Sequence, residues 1–395
     1  MTFVPYRYTR PVRTPTRPFL VAAILAITTI ALTRPALTDT PKPAGTTAAT
    51  TKPATTKVAA TKPTSRPVVA KWAMRPLPAG EVNLIAMGDW GGSSKQQKTV
   101  AEALAGYAGG YPAQFAGLLS VGDNFYTKMQ WGEDDYEWQS VFEDMYDARR
   151  INFPFYAALG NHDFEGTKMQ AELAYARKHP QSRWKMPARY YRLDFPDADK
   201  PLVTVLVLDS NKPKMSADEW LKEMEWIDAQ LADRRGAKWT LACAHHPLFS
   251  NGAHGDNGVL QTHWGPIFKK HKLDFYVCGH DHDLQHLQIP NWDITFMLTG
   301  GGGRGVTKMR RDLRGPFSRS LNGFAHLRFM RDKVEVRYVN GADGRTVHAF
   351  ERLPASRVNV TMKGGVDKAS TQPLKVLLGL DDEGNEKPDK DDKPD

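Results

Sequence analysis

Five apolar runs in this chain end in the same way, and that repetition restricts the folds open to it. Val82–Met87 runs into Gly88-Asp89-Trp90-Gly91, and Phe115–Val121 into Gly122-Asp123-Asn124-Phe125-Tyr126. Phe153–Leu159 runs into Gly160-Asn161-His162-Asp163, Trp239–Ala244 into His245-His246, and Phe275–Cys278 into Gly279-His280-Asp281-His282. Short apolar runs without polar alternation read as strands buried on both faces. Leu202–Leu208 is a further strand, and Phe324–Arg352 reads as antiparallel strands. Helical stretches are expected at Gln96–Tyr107, Asp134–Arg150, near Gly258–Lys272, and after Ser216, where Ser216-x-x-Glu219 is a capping box. Strands alternating with helices, then hairpins, predict an α/β fold with mixed sheets inside helical layers. Ligand sites in open α/β sheets gather beyond the carboxyl ends of the strands, so five polar strand ends can converge on one site.

Composition narrows the class further. A chain of 395 residues, 41% hydrophobic, can hold two or three domains and a sizeable core. No apolar stretch approaches the roughly 20 residues of a spanning helix, which excludes a polytopic membrane protein. Two cysteines exclude a disulfide scaffold. Cys243 and Cys278 read best as buried thiols on neighbouring strands, with a disulfide left open for an exported chain. The net charge of +9 is uneven: the first 75 residues carry 12 Lys and Arg against the single acid Asp39. The body is nearly balanced, so a basic catalytic face for nucleic acid finds little support, and no specific nucleic-acid binding is expected.

The flanks are read separately. Residues 1–33 combine Arg7, Arg10, Arg13 and Arg17 with the 14-residue apolar run Phe19–Leu32. That pattern fits a signal peptide, or a marginal membrane anchor if the segment is retained, and predicts an exported or tethered protein. Residues 34–75 form a Thr/Pro/Ala/Lys-rich spacer expected to be extended and disordered. Residues 76–355 are expected to form the domain that holds all five strand-end motifs, and 356–395 an extension with an acidic, solvated tail.

All 12 histidines lie between 162 and 348. Carboxylates, an amide, a phenol and imidazoles together suit hard to borderline first-row metals, and without thiolates an open, water-activating site is favoured over a closed structural zinc site. Taken singly the signals are uneven, since an Asp or Asn in a Gly turn is usually a turn residue or a cap. Their joint occurrence at successive strand ends is much harder to explain without a site. Gly300–Gly303 lacks the Lys-Ser/Thr of a P-loop and reads as a loop near the site.

At these motifs the sequence resembles the purple acid phosphatases, a branch of the calcineurin-like metallophosphoesterases, and looks most like their small, tartrate-resistant type over residues 80–352. The resemblance implies a four-layer α/β/β/α sandwich with two mixed sheets. It implies a ferric site at Asp89, Asp123, Tyr126 and His282, and a divalent site (Fe2+, Zn2+ or Mn2+) at Asn161, His245 and His280 with Asp123 as the bridge. Where the wider superfamily has His, this chain has Gly91, and Tyr126 is placed to supply the missing ligand as a phenolate. His162 would contact phosphate and His254 would be the catalytic acid. His246 stands where relatives also carry an aromatic residue and is left out of the metal set. The expected reaction is hydrolysis of small phosphomonoesters at acidic pH, by in-line attack of a hydroxide that the ions generate. A phosphodiesterase or nucleotidase, or a surface protein that binds phosphate or metal without turnover, are the alternatives.

Overall fold

Each apolar run forms a strand covered on both faces, which is why its pattern carries no polar alternation. The computed structural model describes residues 67–310 and 314–354 and the strand residues 360–361. The leader, most of the spacer and nearly all of the carboxy-terminal extension lie outside the described residues. β1 (Glu81–Met87), β2 (Gly117–Ser120), β3 (Phe155–Ala157) and β4 (Trp184–Lys185) run parallel and side by side. The chain then builds a second sheet from β5 (Tyr191–Phe195), β6 (Val203–Val207), β7 (Trp239–Cys243), β8 (Phe275–Cys278), β9 (Leu284–Gln288), β10 (Thr295–Thr299) and β11 (Phe317–Arg319). Its order is β11-β9-β10-β8-β7-β6-β5, with β6, β7, β8 and β10 parallel. Finally β12 (Gly323–Met330), β13 (Val334–Asn340), β14 (Thr346–Arg352) and β15 (Val360–Thr361) return to the first sheet, β12 pairing antiparallel with β1.

Alternation along the strands divides three cores. Val82, Leu84 and Ala86 face the space between the sheets, with Val203, Val205, Val207, Leu241, Val277 and Met297. Ile85 and Met87 join a second core with Val100 and Leu104 of α1 (Lys95–Gly110) and Ala171 and Tyr175 of α2 (Lys168–Lys178). On the far face of the second sheet, Leu206, Leu208, Ala242 and Tyr276 share a core with α3 (Ala217–Ala232), α4 (Gly258–His263) and α5 (Gly265–Lys270). The result is the four-layer α/β/β/α sandwich. Each fully buried Val, Leu or Ile contributes about 1.5–3 kcal/mol.

Local expectations hold in part. The capping box forms: Ser216 N donates to Glu219 Oε2 at 2.8 Å, and Glu219 N to Ser216 Oγ at 3.2 Å. Residues 258–272 are two short helices, with Pro266 at the start of the second, where a proline's missing N–H goes unfelt. Asp134–Arg150 is not the long helix its composition suggests; a 3-10 turn at Gly132–Asp134 and a π-helical turn at Trp138–Glu143 replace it. Aromatic packing overrides propensity there: Trp138 stacks on Tyr175 at 3.7 Å, and Trp138, Phe142 and Tyr146 are all buried. Cys243 and Cys278 are buried, unpaired thiols at the ends of β7 and β8.

A pair of histidines away from the motifs sets a pH limit on this fold. His286 Nδ1 lies 3.0 Å from His348 Nε2; His286 stacks on Phe350 and His348 on Phe317. Burial pushes both imidazoles down, His348 to about 4. A folded pKa below the unfolded value adds stability above the unfolded pKa, which is lost as pH falls through the folded one. The melting temperature is therefore expected to fall between about pH 6.5 and 4, and less steeply in His348→Phe. Parallel melting profiles of the two proteins would contradict this.

Candidate metal centre

The polar strand ends of β1, β2, β3, β7 and β8 meet along one edge of the two sheets, and their side chains form two clusters that share one carboxylate. In the first, Tyr126 Oη lies 3.0 Å from Asp123 Oδ2, 3.3 Å from Asp89 Oδ1 and 3.2 Å from His282 Nε2. In the second, His245 Nε2 lies 3.0 Å from Asn161 Oδ1, 3.1 Å from His280 Nδ1 and 3.5 Å from Asp123 Oδ1. Asp123 thus turns one oxygen to each cluster. Its φ is 51°, and Asp89 and His280 are left-handed too, at 60° and 71°; such conformations are sparsely populated for side-chain-bearing residues and persist where packing enforces them.

Gly91 and Tyr126 are coupled through the backbone. Tyr126 N donates to Gly91 O at 2.7 Å, and a β-carbon at 91 would overlap the Asn124 carbonyl. No side chain fits at 91, and the loop that excludes it is the loop that delivers the phenol.

A buried hydrogen-bond network ties three ligand loops together behind the clusters. Trp90 Nε1 donates to Ser120 Oγ at 2.8 Å, and Ser120 Oγ to Asn124 Oδ1 at 2.5 Å. The Asn124 amide donates to Ala158 O at 2.8 Å, Asp163 Oδ2 at 3.1 Å and Glu172 Oε2 at 3.0 Å. Asp163 also accepts backbone N–H groups of Asn124, Phe125 and Gly160 at 2.8–3.2 Å.

Protein groups alone drive the clusters toward neutrality. Burial, then the Asp123 charge, holds the Asp89 carboxyl well above the usual carboxylate range. Burial also raises the Tyr126 phenol, reinforced by Asp89 and Asp123. Burial lowers His245 and His280, and brings His282 down to about 4. Neutral imidazoles, carboxylate and amide oxygens, and a phenol converging within 3.6 Å are complementary to hard or borderline cations. His245 Nδ1 bonds Val121 O at 3.0 Å, fixing the ring with Nε2 toward the cluster. The residues present fit the group the resemblance implied.

The sequence profile of the calcineurin-like phosphoesterases matches residues 82–284, which span the two clusters and the strands that carry them. The chain belongs to this family. Within this phosphoesterase family, the protein is 29% identical to tartrate-resistant acid phosphatase type 5 of Mus musculus over 301 residues, covering 68% of this chain and 90% of that one. It is 30% identical to the Sus scrofa protein of the same name over 304 residues, 69% and 87% of the two chains. Among solved structures, GAP50, the anchor in the inner membrane complex of Plasmodium, shares the fold with a TM-score of 0.62 at 20% identity, covering 70% and 90% of the chains. A purple acid phosphatase from yellow lupin seeds shares it at 0.55 and 15% identity, covering 70% and 54%.

The phosphoesterase site opens to solvent past two histidines. His162 is partly exposed, its Nδ1 2.7 Å from Glu165 Oε1, and its backbone N donates to Asp123 Oδ1 at 2.8 Å. His254 is exposed, its Nδ1 2.7 Å from the fully buried Asp281 Oδ1 and its ring 4.2 Å from that of His280. His246, left out of the ligand set, has its Nδ1 2.8 Å from Ser210 Oγ, with a ring nitrogen within 4.8 Å of those of His245 and His280. Glu165 and Ser210, which hold the His162 and His246 rings, and Glu172, which holds the Asn124 amide, carry no motif that the sequence reading could use. Gly300–Gly303 packs against Gly88 and Trp90 as a loop beside the site.

Proposed function

We propose that this protein is a dinuclear-metal acid phosphatase that hydrolyses small phosphomonoesters. The observation that carries the reading is Asp123, with one oxygen in each of two donor clusters. Asp89, Tyr126 and His282 would complete one cation site, and Asn161, His245 and His280 the other. An Fe3+ ion paired with Fe2+, Zn2+ or Mn2+ would supply Lewis acidity and acidify a water molecule. The chain's own groups do the rest. His162, steadied by Glu165, presents an N–H to the phosphate. Asp281 occupies His254 Nδ1 and leaves Nε2 to carry the proton for the departing alkoxide. From the sequence we further propose that residues 76–355 form the catalytic domain, carried on the 34–75 spacer behind a leader that exports or tethers it.

The reading is tested by comparing nitrophenyl phosphate with bis-nitrophenyl phosphate at acidic pH. A monoester preference of at least about 100-fold in kcat/KM, or nearly 3 kcal/mol in transition-state binding, is expected. A diester preference would favour the phosphodiesterase alternative, and no turnover of either a binding protein. His254→Ala is expected to lose about 10²–10⁴-fold on an alkyl phosphate, within the range of general acid catalysis, and much less on nitrophenyl phosphate. Equal losses on both would remove His254 from the acid role.

A further inference from the structure

Two cations at the mouth of the site are used by none of its ligand geometry. Both lie on the loop after β10, where residues 304–310 carry three basic residues and no acid. The loop is pinned to the ligand loops. Gly302 N donates to Gly88 O at 2.9 Å, Arg304 N to Asp89 O at 3.0 Å and Thr307 N to His282 O at 2.9 Å. His282 N returns a bond to Thr307 Oγ1 at 2.6 Å, and Arg310 N donates to Asn251 O at 2.8 Å. So anchored, Arg304 places its guanidinium carbon 4.6 Å from the centre of the Tyr126 ring. Arg310 places Nη1 3.1 Å from where a β-carbon would stand on Gly255, the neighbour of His254.

Both side chains are exposed, and among the described residues neither bonds a carboxylate. Arg314, by contrast, is satisfied by both oxygens of Asp256 and by Ser250 O. A guanidinium on a fixed backbone matches the planar oxygens of phosphate or carboxylate. The leaving group of the proposed reaction departs past His254, beside Arg310. We infer that Arg304 and Arg310 form an anion subsite that selects phosphate esters and anhydrides whose leaving group is itself a phosphate, or carries a phosphate or carboxylate close to the bond broken. This inference rests on the phosphatase reading and assigns that site its substrate class.

The test measures kcat/KM of the full-length, metal-loaded protein on phenyl phosphate, pyrophosphate and phosphoglycolate, beside Arg304→Ala, Arg310→Ala and Arg310→Lys. The ratios of pyrophosphate and of phosphoglycolate to phenyl phosphate are expected to fall about 10- to 100-fold in the Ala variants, chiefly through KM, with partial recovery in Arg310→Lys. A fall in only one ratio identifies which second anion the subsite takes. Equal losses on all three substrates, together with lost metal, would show that the arginines only balance the ligand carboxylates and would overturn the subsite. Unchanged ratios overturn it as well, while leaving the phosphatase intact. No turnover of any substrate by the unmodified protein overturns the phosphatase reading itself.

Discussion

Asp123→Asn is expected to lower kcat/KM for nitrophenyl phosphate by about 10³-fold or more, the effect of losing several kcal/mol of charge stabilisation at a two-metal site. The amide keeps the shape of the side chain but removes the charge that both clusters share. Bound metal should fall from two equivalents toward one or none. The metal-free fold should not suffer, because Asp123 is among the causes that hold Asp89 well above the usual carboxylate range; removing that charge relieves a repulsion. Metal analysis beside a thermal melt separates the two effects. A variant with full activity and two bound metals would show that Asp123 is not a bridge.

Asn124→Leu should give the next largest loss, although Asn124 touches no proposed ligand atom. Its amide holds Ser120, Asp163 and Glu172 in one buried network. Removing it strands several buried polar groups, each costing about 1–3 kcal/mol, so the fold should lose roughly 3 kcal/mol or more. Metal affinity should weaken about 10- to 100-fold, the usual consequence of removing an orienting partner. Asn124→Asp is nearly isosteric and should be no better. It sets a third carboxylate beside Asp163, already pushed up to about 7 by burial and by Asp123, and beside Glu172, also raised. Metal titration followed by activity gives the affinities. Unchanged affinity in a destabilised Asn124→Leu would reduce the network to a purely structural role.

The parts of this protein that could be read in the sequence are those where local pattern and chemistry coincide. An apolar run that stops at an acid, an amide or an imidazole, usually behind a glycine, names a strand and the polar loop after it together, so β1, β2, β3, β7 and β8 and their strand-end residues were legible. His254 was not legible in that way; it follows no strand and stood out only through family resemblance. α2 was missed because its buried face carries Lys168 and Glu172 beside Ala171 and Tyr175, which blurs helical periodicity. Those same residues hold the site: Lys168 Nζ reaches Phe125 O at 2.8 Å and Glu165 at 3.0 Å. Arg304 gains its meaning from Tyr126, far away in the sequence. The turns of residues 132–143 were misread because their geometry comes from tertiary aromatic packing.

Tyr126, Asp89, Asp123 and His282 are proposed to form one cation site built around a phenolate. The visible absorption spectrum of the full-length protein loaded with iron, recorded beside that of Tyr126→Phe, tests it most directly. A purple charge-transfer band in the unmodified protein that is absent from the variant is the expected result. An iron-replete protein without the band, or with the same band when Tyr126 is Phe, would contradict it.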